Sequence, residues 1–312
     1  MDYINQVAPD ARKITAEMYG KTLNGVLYSE GMDYLQSIVP DVLTTSLFST
    51  QDIREPHKTL YKKLYDNGCF LLCAAGNSGY KTMIFLSEGD LWKTVGACRY
   101  DKDKPYRASY SSVGEELDFM SFDDLYSTWD NKRHTGTSYA SPLLAGMIGL
   151  VQGFFFDMTG KKLTHEKLIE FIRDNSVDLG KFGRDDEYGN GLFVLPNPED
   201  IDVSKYSDMI TIEEVFSYLI KEGELLEPDY WKAKIEEENK IKWLFIKWAN
   251  AVRMARCREK KPISNTDINY TLDKLVELGW LLEPNYWKDK IKKEDKIKWL
   301  FFKWLNAIER VK

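Results

Sequence analysis

Residues 134–151 run His-Thr-Gly-Thr-Ser-Tyr-Ala-Ser-Pro-Leu-Leu-Ala-Gly-Met-Ile-Gly-Leu-Val, and no other stretch constrains the fold of this chain as tightly. Beyond Gly136 the run is small or apolar on nearly every side. A helix over it has no broad solvent face and must be packed through a core. Ala140, Ala145 and Gly146 keep such a helix thin, and Pro142 is expected in its first turn, where no intrahelical N–H is needed. Ser138 then stands at the amino end, beside unpaired N–H groups at the positive end of the helix dipole. Two readings are open: an N-cap, the commonest use of serine there, or a hydroxyl set beside donors that can bind an anionic oxygen.

Up to about residue 195, apolar strands such as Val42 to Leu47 and Phe70 to Ala75 alternate with helix-like stretches such as Gly31 to Ile38 and Thr59 to Asn67. That alternation predicts an α/β domain over residues 1–195, a parallel sheet with helices on both faces. Leu195-Pro196-Asn197-Pro198-Glu199-Asp200 breaks all periodicity, so residues 196–208 read as a linker. The length of 312 residues favours two domains.

The second part repeats itself. Leu226-Glu227-Pro228-Asp229-Tyr230-Trp231-Lys232 recurs as Leu282-Glu283-Pro284-Asn285-Tyr286-Trp287-Lys288, and Lys240-Ile241-Lys242-Trp243-Leu244-Phe245 as Lys296-Ile297-Lys298-Trp299-Leu300-Phe301. Constant register marks a tandem duplication, residues 209–258 and 265–312, each unit expected to be three helices. Trp231, Trp243, Trp248 and their repeats are expected to form two small helical cores; the other reading is stacking on a ligand. A duplicated aromatic module beside an enzyme-like domain gains affinity through bivalency. The repeat resembles C-terminal helical modules of clostridial and bacillar phage lysins and wall hydrolases, which implies a cell-wall or protein ligand.

A net charge of −6 argues against polyanion binding, so no nucleic-acid partner is expected. Cys69, Cys73, Cys98 and Cys257 show neither a CxxC pair nor a metal-ligand rhythm and read as small buried hydrophobes, with no metal site. The sequence opens without a basic stretch followed by an apolar one, and no run is expected to span a bilayer. The expectation is a soluble chain without a secretion signal, cytoplasmic or associated with a phage or cell surface.

His134 to Gly146 as a whole resembles the nucleophile segment of subtilisin-like serine peptidases, Gly-Thr-Ser-x-Ala-(Ser/Ala)-Pro-x-x-Ala-Gly. Four more segments match in order: Val7-Ala8-Pro9-Asp10-Ala11, which resembles the opening of a strand; Ala74-Ala75-Gly76-Asn77-Ser78-Gly79; Val95-Gly96-Ala97 with Arg107 to Asp118; and Tyr188-Gly189-Asn190-Gly191-Leu192. The resemblance spans about residues 5–195. It implies Ser138 as nucleophile, its backbone N–H as one oxyanion donor and Asn77 as the side-chain donor, although Asn77-Ser78-Gly79 alone reads as a turn. It places Ser46, Leu47, Phe48, Gly76, Gly136 and Thr137 along the substrate cleft. It implies a protein or peptide substrate and no cofactor; calcium is possible in the family, with no site legible here.

The family's Asp and His fall before the Val-Ala-Pro segment, and no Asp-(Ser/Thr)-Gly or His-Gly-Thr motif occurs in the chain. Of the three histidines, His134 would have to fold back to reach Ser138, while His57 and His165 read as solvated or helix-start residues. The family's glycine-rich edge is replaced by Ser46-Leu47-Phe48-Ser49, whose side chains narrow the cleft. Two functions follow: a serine endopeptidase whose Asp and His come from another segment or chain, or a non-catalytic scaffold beside an anchoring repeat.

Overall fold

The computed structural model describes residues 2–15, 25–46, 55–80, 91–102, 104–208, 211–225, 227–237, 239–255, 267–278, 281, 284–293 and 296–311. They form two compact units, Met1–Phe154 with Lys162–Ser207, and Phe155–Lys161 with Asp208–Lys312.

The first unit is built on a sheet in the order β1 (Val42–Thr45), β2 (Phe70–Ala74), β3 (Trp92–Asp101), β5 (Leu117–Phe122), β9 (Leu192–Phe193) and β8 (Ser176–Val177), with β4 (Lys104–Arg107) paired to β3. From β1 to β9 along that order the neighbours are parallel; β4 and β8 are antiparallel. A small hairpin, β6 (Leu125–Tyr126) with β7 (Arg133–His134), leads into α4 (Thr137–Thr159). The remaining helices of this unit are α1 (Asp2–Val7), α2 (Gly25–Ile38), α3 (Glu55–Asp66) and α5 (His165–Asp174).

Phe70, Leu71, Leu72 and Cys73 are all buried, as a strand covered on both faces requires. Leu71 and Cys73 pack with Met32 and Leu35 of α2 and Tyr61 and Leu64 of α3. Phe70, facing the other way, meets the ring of His165 on α5. The α/β architecture read from the sequence is the observed one.

By length and composition α4 could cross a bilayer, against the sequence expectation, but 61% of its apolar window is buried inside the protein: it is the core helix of the sheet. Its small residues admit a neighbour. A Cβ on Gly146 would sit 3.4 Å from both Ile4 Cα and Val7 Cβ of α1. Val7 itself ends a helix, and residues 8–15 contain no strand, so the strand expected at Val7 to Ala11 is corrected. Ala8 N–H still donates to Ile4 O and Ala11 N–H to Ala8 O, which turns the chain at Pro9 instead of extending it.

In the second unit α6 (Ile212–Lys221), α7 (Pro228–Glu237) and α8 (Asn239–Ala255) are followed by α9 (Ile268–Glu277), α10 (Pro284–Lys293) and α11 (Ile297–Val311). Thr211 and Glu214 form a capping box at α6, and Asp267 caps α9. The two helix triplets pack alike: Trp231 meets Phe245 at 5.5 Å and 68°, and Trp287 meets Phe301 at 5.4 Å and 68°. Trp231, Trp248, Trp287 and Trp304 share one apolar core, not two. Trp243 and Trp299 lie outside it, 43% and 48% exposed. Ile241, Leu244, Phe245 and Trp248 define the buried stripe at helical spacing, and Trp243 falls off that stripe.

Candidate active site

The site lies at the ends of the central strands. After β2 the chain turns at Gly76, φ 97°, where a Cβ would come 3.1 Å from Ser112 Oγ. The Asn77 loop is then tied to the segment before β5. Gly79 N–H donates to Tyr110 O at 2.7 Å, Ser112 N–H to Gly76 O at 3.0 Å and Ser78 N–H to Ser112 Oγ at 3.3 Å.

Facing it is the entrance to α4. Gly136, φ 137°, donates its N–H to the buried carboxylate of Asp123 at 2.6 Å. Thr137, fully buried, donates from its N–H and its hydroxyl to Asn77 Oδ1 at 3.0 and 3.1 Å, while the hydroxyl accepts from Gly76 N–H at 3.1 Å. Two donors on Oδ1 fix which way round the carboxamide sits, with Nδ2 left over. Gly136 O accepts from Tyr139 N–H at 2.9 Å and starts the helix. Among the described residues, Ser138 N–H, Ser138 Oγ and Asn77 Nδ2 have no hydrogen-bond partner.

Pro142 is the sixth residue of α4, not a first-turn residue as expected. It cannot donate to Ser138 O, and Ser46 Oγ does so instead at 3.0 Å. One residue earlier, Ser141 Oγ bonds Thr44 Oγ at 2.8 Å. The end of β1 thereby substitutes for the helix bond that the proline removes. Leu47 and Phe48 lie outside the described residues, as does the side chain of His57.

One threonine thus links a strand-end asparagine to a helix-start serine in a parallel sheet, and the family model for the S8 peptidases matches residues 1–191. The chain belongs to the subtilase family. It is similar to minor extracellular protease Epr of Bacillus subtilis (strain 168), 30% identical over 195 residues, which are 61% of this chain and 29% of that protein. Against the major intracellular serine protease of the same organism it is 24% identical over 221 residues, 66% of this chain and 67% of the relative. A solved lanthipeptide protease superposes with a TM-score of 0.51 at 19% identity, over 62% of this chain and 71% of that one, and shares the fold.

Within this subtilase domain the histidines with described side chains are committed elsewhere. His134 Nε2 lies 2.9 and 3.0 Å from the Asp130 carboxylate oxygens, its Nδ1 is 3.4 Å from Tyr139 Oη, and the ring stacks on Tyr139. His165 is the first residue of α5, as expected, and is partly buried: its ring packs on Tyr65 with centroids 3.9 Å apart. Burial, the largest influence on it, pushes its imidazole below the ordinary 6.5. Cys69, Cys73 and Cys98 are buried, and burial pushes each thiol up to about 12. Among the described residues no three His, Cys, Asp or Glu side chains gather to hold a metal.

The sequence reading missed Asp123, Arg99 and Tyr110. Arg99 Nε lies 3.3 Å from Asp123 Oδ1, and Tyr110 Oη donates to Asp123 Oδ2. An acidic pair, Asp123-Asp124, directly after an apolar strand was the available signal. Strand register brings Arg99 to it, and the turn at Tyr110 and the loop at Gly136 close over it.

Proposed function

We propose that the first unit carries the nucleophile side of a serine endopeptidase. Ser138 Oγ bonds to the scissile carbonyl carbon, and the carbonyl oxygen, now negative, accepts from Ser138 N–H and Asn77 Nδ2. The single observation that carries this reading is that both donors are held in place yet left without an acceptor. Donors fixed before reaction need no reorganisation as charge develops, which makes such a pair effective. The serine proton must pass to a base, which later returns it to the leaving amine. His134 is paired with Asp130 and His165 is packed on Tyr65, so that base is supplied by polypeptide other than the described residues, in this protein or in a partner chain. A protein or peptide in extended form is the substrate.

The test is a fluorophosphonate reagent applied to the protein isolated with the polypeptides that accompany it, followed by peptide mass mapping. Covalent adduct on Ser138, absent from Ser138→Ala, is expected. An unmodified Ser138 in that assembly contradicts the reading.

A second reading, a binding protein anchored through its helical repeats, is favoured by one observation: Trp243 and Trp299 occupy equivalent positions and are both half exposed. Lys247 Nζ lies over the Trp243 ring at 6.0 Å, adding a cation to that surface. Co-sedimentation of the whole chain with cell walls, lost in Trp243→Ala with Trp299→Ala, would support it; a chain that stays in the supernatant would refute it.

A further inference from the structure

The end of β5 places a carboxylate where the sheet has no solvent. Strand register pairs Phe122 with Cys98, which leaves Asp123 beside Arg99 one residue on. The Asp123 side chain is 0% exposed. A buried carboxylate is costly unless it is paired and its oxygens are filled. Here Arg99 Nε and Gly136 N–H donate to it at 3.3 and 2.6 Å, and Tyr110 Oη donates as well.

The two flanking side chains lock each other. Arg99 donates to Tyr110 Oη at 2.8 Å, and its guanidinium carbon lies 5.2 Å from the Tyr110 ring centroid. Burial and then the bond to Asp123 push the phenol above its ordinary pKa, so it remains a donor. Tyr110 also reaches the other side of the site, because its carbonyl accepts from Gly79 N–H at 2.7 Å. The Asn77 loop and the Ser138 loop are therefore connected twice: directly through Thr137, and through Tyr110 and Asp123 behind it.

We propose that Asp123 is a positioning residue for the Ser138 loop: its buried carboxylate, locked by Arg99 and Tyr110, holds Gly136 so that Ser138 N–H and Asn77 Nδ2 converge on one oxygen. This rests on the peptidase reading above. Gly136 has a backbone conformation that favours glycine, and a Cβ there would sit 3.4 Å from Asn77 Nδ2. A peptide unit so free of side-chain restraint stays in one orientation only if its N–H is held. Releasing it would rotate Thr137 away from Asn77 Oδ1 and leave the carboxamide free to turn.

Site-resolved amide exchange on the full chain, paired with fluorophosphonate modification of Ser138 in the accompanied protein, tests this. Asp123→Ala should raise exchange at Gly136 by about tenfold or more while Ile148, deep in α4, keeps its protection. Asp123→Asn, which retains an acceptor oxygen, should fall between the two, and Ser138 modification should slow in the same order. Unchanged exchange at Gly136, or equal loss of protection at Gly136 and Ile148, overturns the proposal. If Asp123→Ala does not fold, Asp123→Asn decides alone, and wild-type exchange at its Gly136 overturns the proposal. Absence of Ser138 modification in every form would instead sink the peptidase reading, since amide exchange reports the tether whether or not the serine reacts.

Discussion

Around Ser138 the N–H groups of consecutive residues are held by acceptors on other loops, Gly136 by Asp123 and Thr137 by Asn77, before Ser138 itself presents a free one. Around the two histidines the contacts are made by the imidazole rings themselves. His134 is paired with Asp130 and stacked on Tyr139, both close to it in sequence, and His165 is packed on Tyr65. In the proposed centre the donors of Ser138 and Asn77 are therefore positioned by strand ends and a buried helix start. On the proposed reading the base is brought by a separate element, so that one side can be in place while the other is met from elsewhere.

The largest expected effect comes from Ser138→Ala, which should abolish covalent modification by a fluorophosphonate and any peptide hydrolysis by the accompanied protein. Next is Asn77. Asn77→Asp keeps the acceptor for Thr137 and removes the Nδ2 donor, so it should cost about 10²–10³ in rate while changing the thermal midpoint little. If hydrolysis were unaffected, the asparagine would be a turn residue and the comparison would fail on its oxyanion side. Ser46→Ala should be milder, leaving the Ser138 carbonyl to water at a cost of about 0.5–1.5 kcal/mol in denaturant unfolding.

The histidines break the comparison if they matter. His134→Gln should leave Ser138 reactivity within about twofold of wild type, since no role in proton transfer is assigned to it; a far larger loss would make it the base. His165 should act on stability alone. Its folded pKa lies below the ordinary 6.5, so the unfolded chain binds more protons as pH falls. Stability is therefore full above 6.5, declines as pH drops through and below that value, and levels off beneath the folded pKa. In His165→Phe, unfolding followed between pH 7 and pH 5 should lose that part of the slope, with Ser138 reactivity unchanged.

Much of this was legible in residues alone. Gly-Thr-Ser before an apolar helix, and Asn after an apolar strand, state their surroundings locally, because a turn and a helix start are short-range objects. What escaped was long-range. Asp123 looks like one of two surface acids until strand register sets it against Arg99 and the loop at Gly136 closes over it. Pro142 reads as a first-turn residue until the helix is seen to begin at Thr137, and Ser46 gains its role only from the carbonyl that the proline leaves free. In the second unit, periodicity gave the helices, but Trp243 was counted as core although it lies off the stripe of Ile241, Leu244, Phe245 and Trp248.

The most direct test supplies the proposed external base as a small molecule. If Ser138 is poised and lacks only a base, imidazole added to the isolated full chain should accelerate its phosphonylation in proportion to the imidazole concentration, with no acceleration in Ser138→Ala and a much weaker one in Asn77→Asp. A wild-type chain whose Ser138 stays as unreactive at every imidazole concentration as a surface serine would contradict the account.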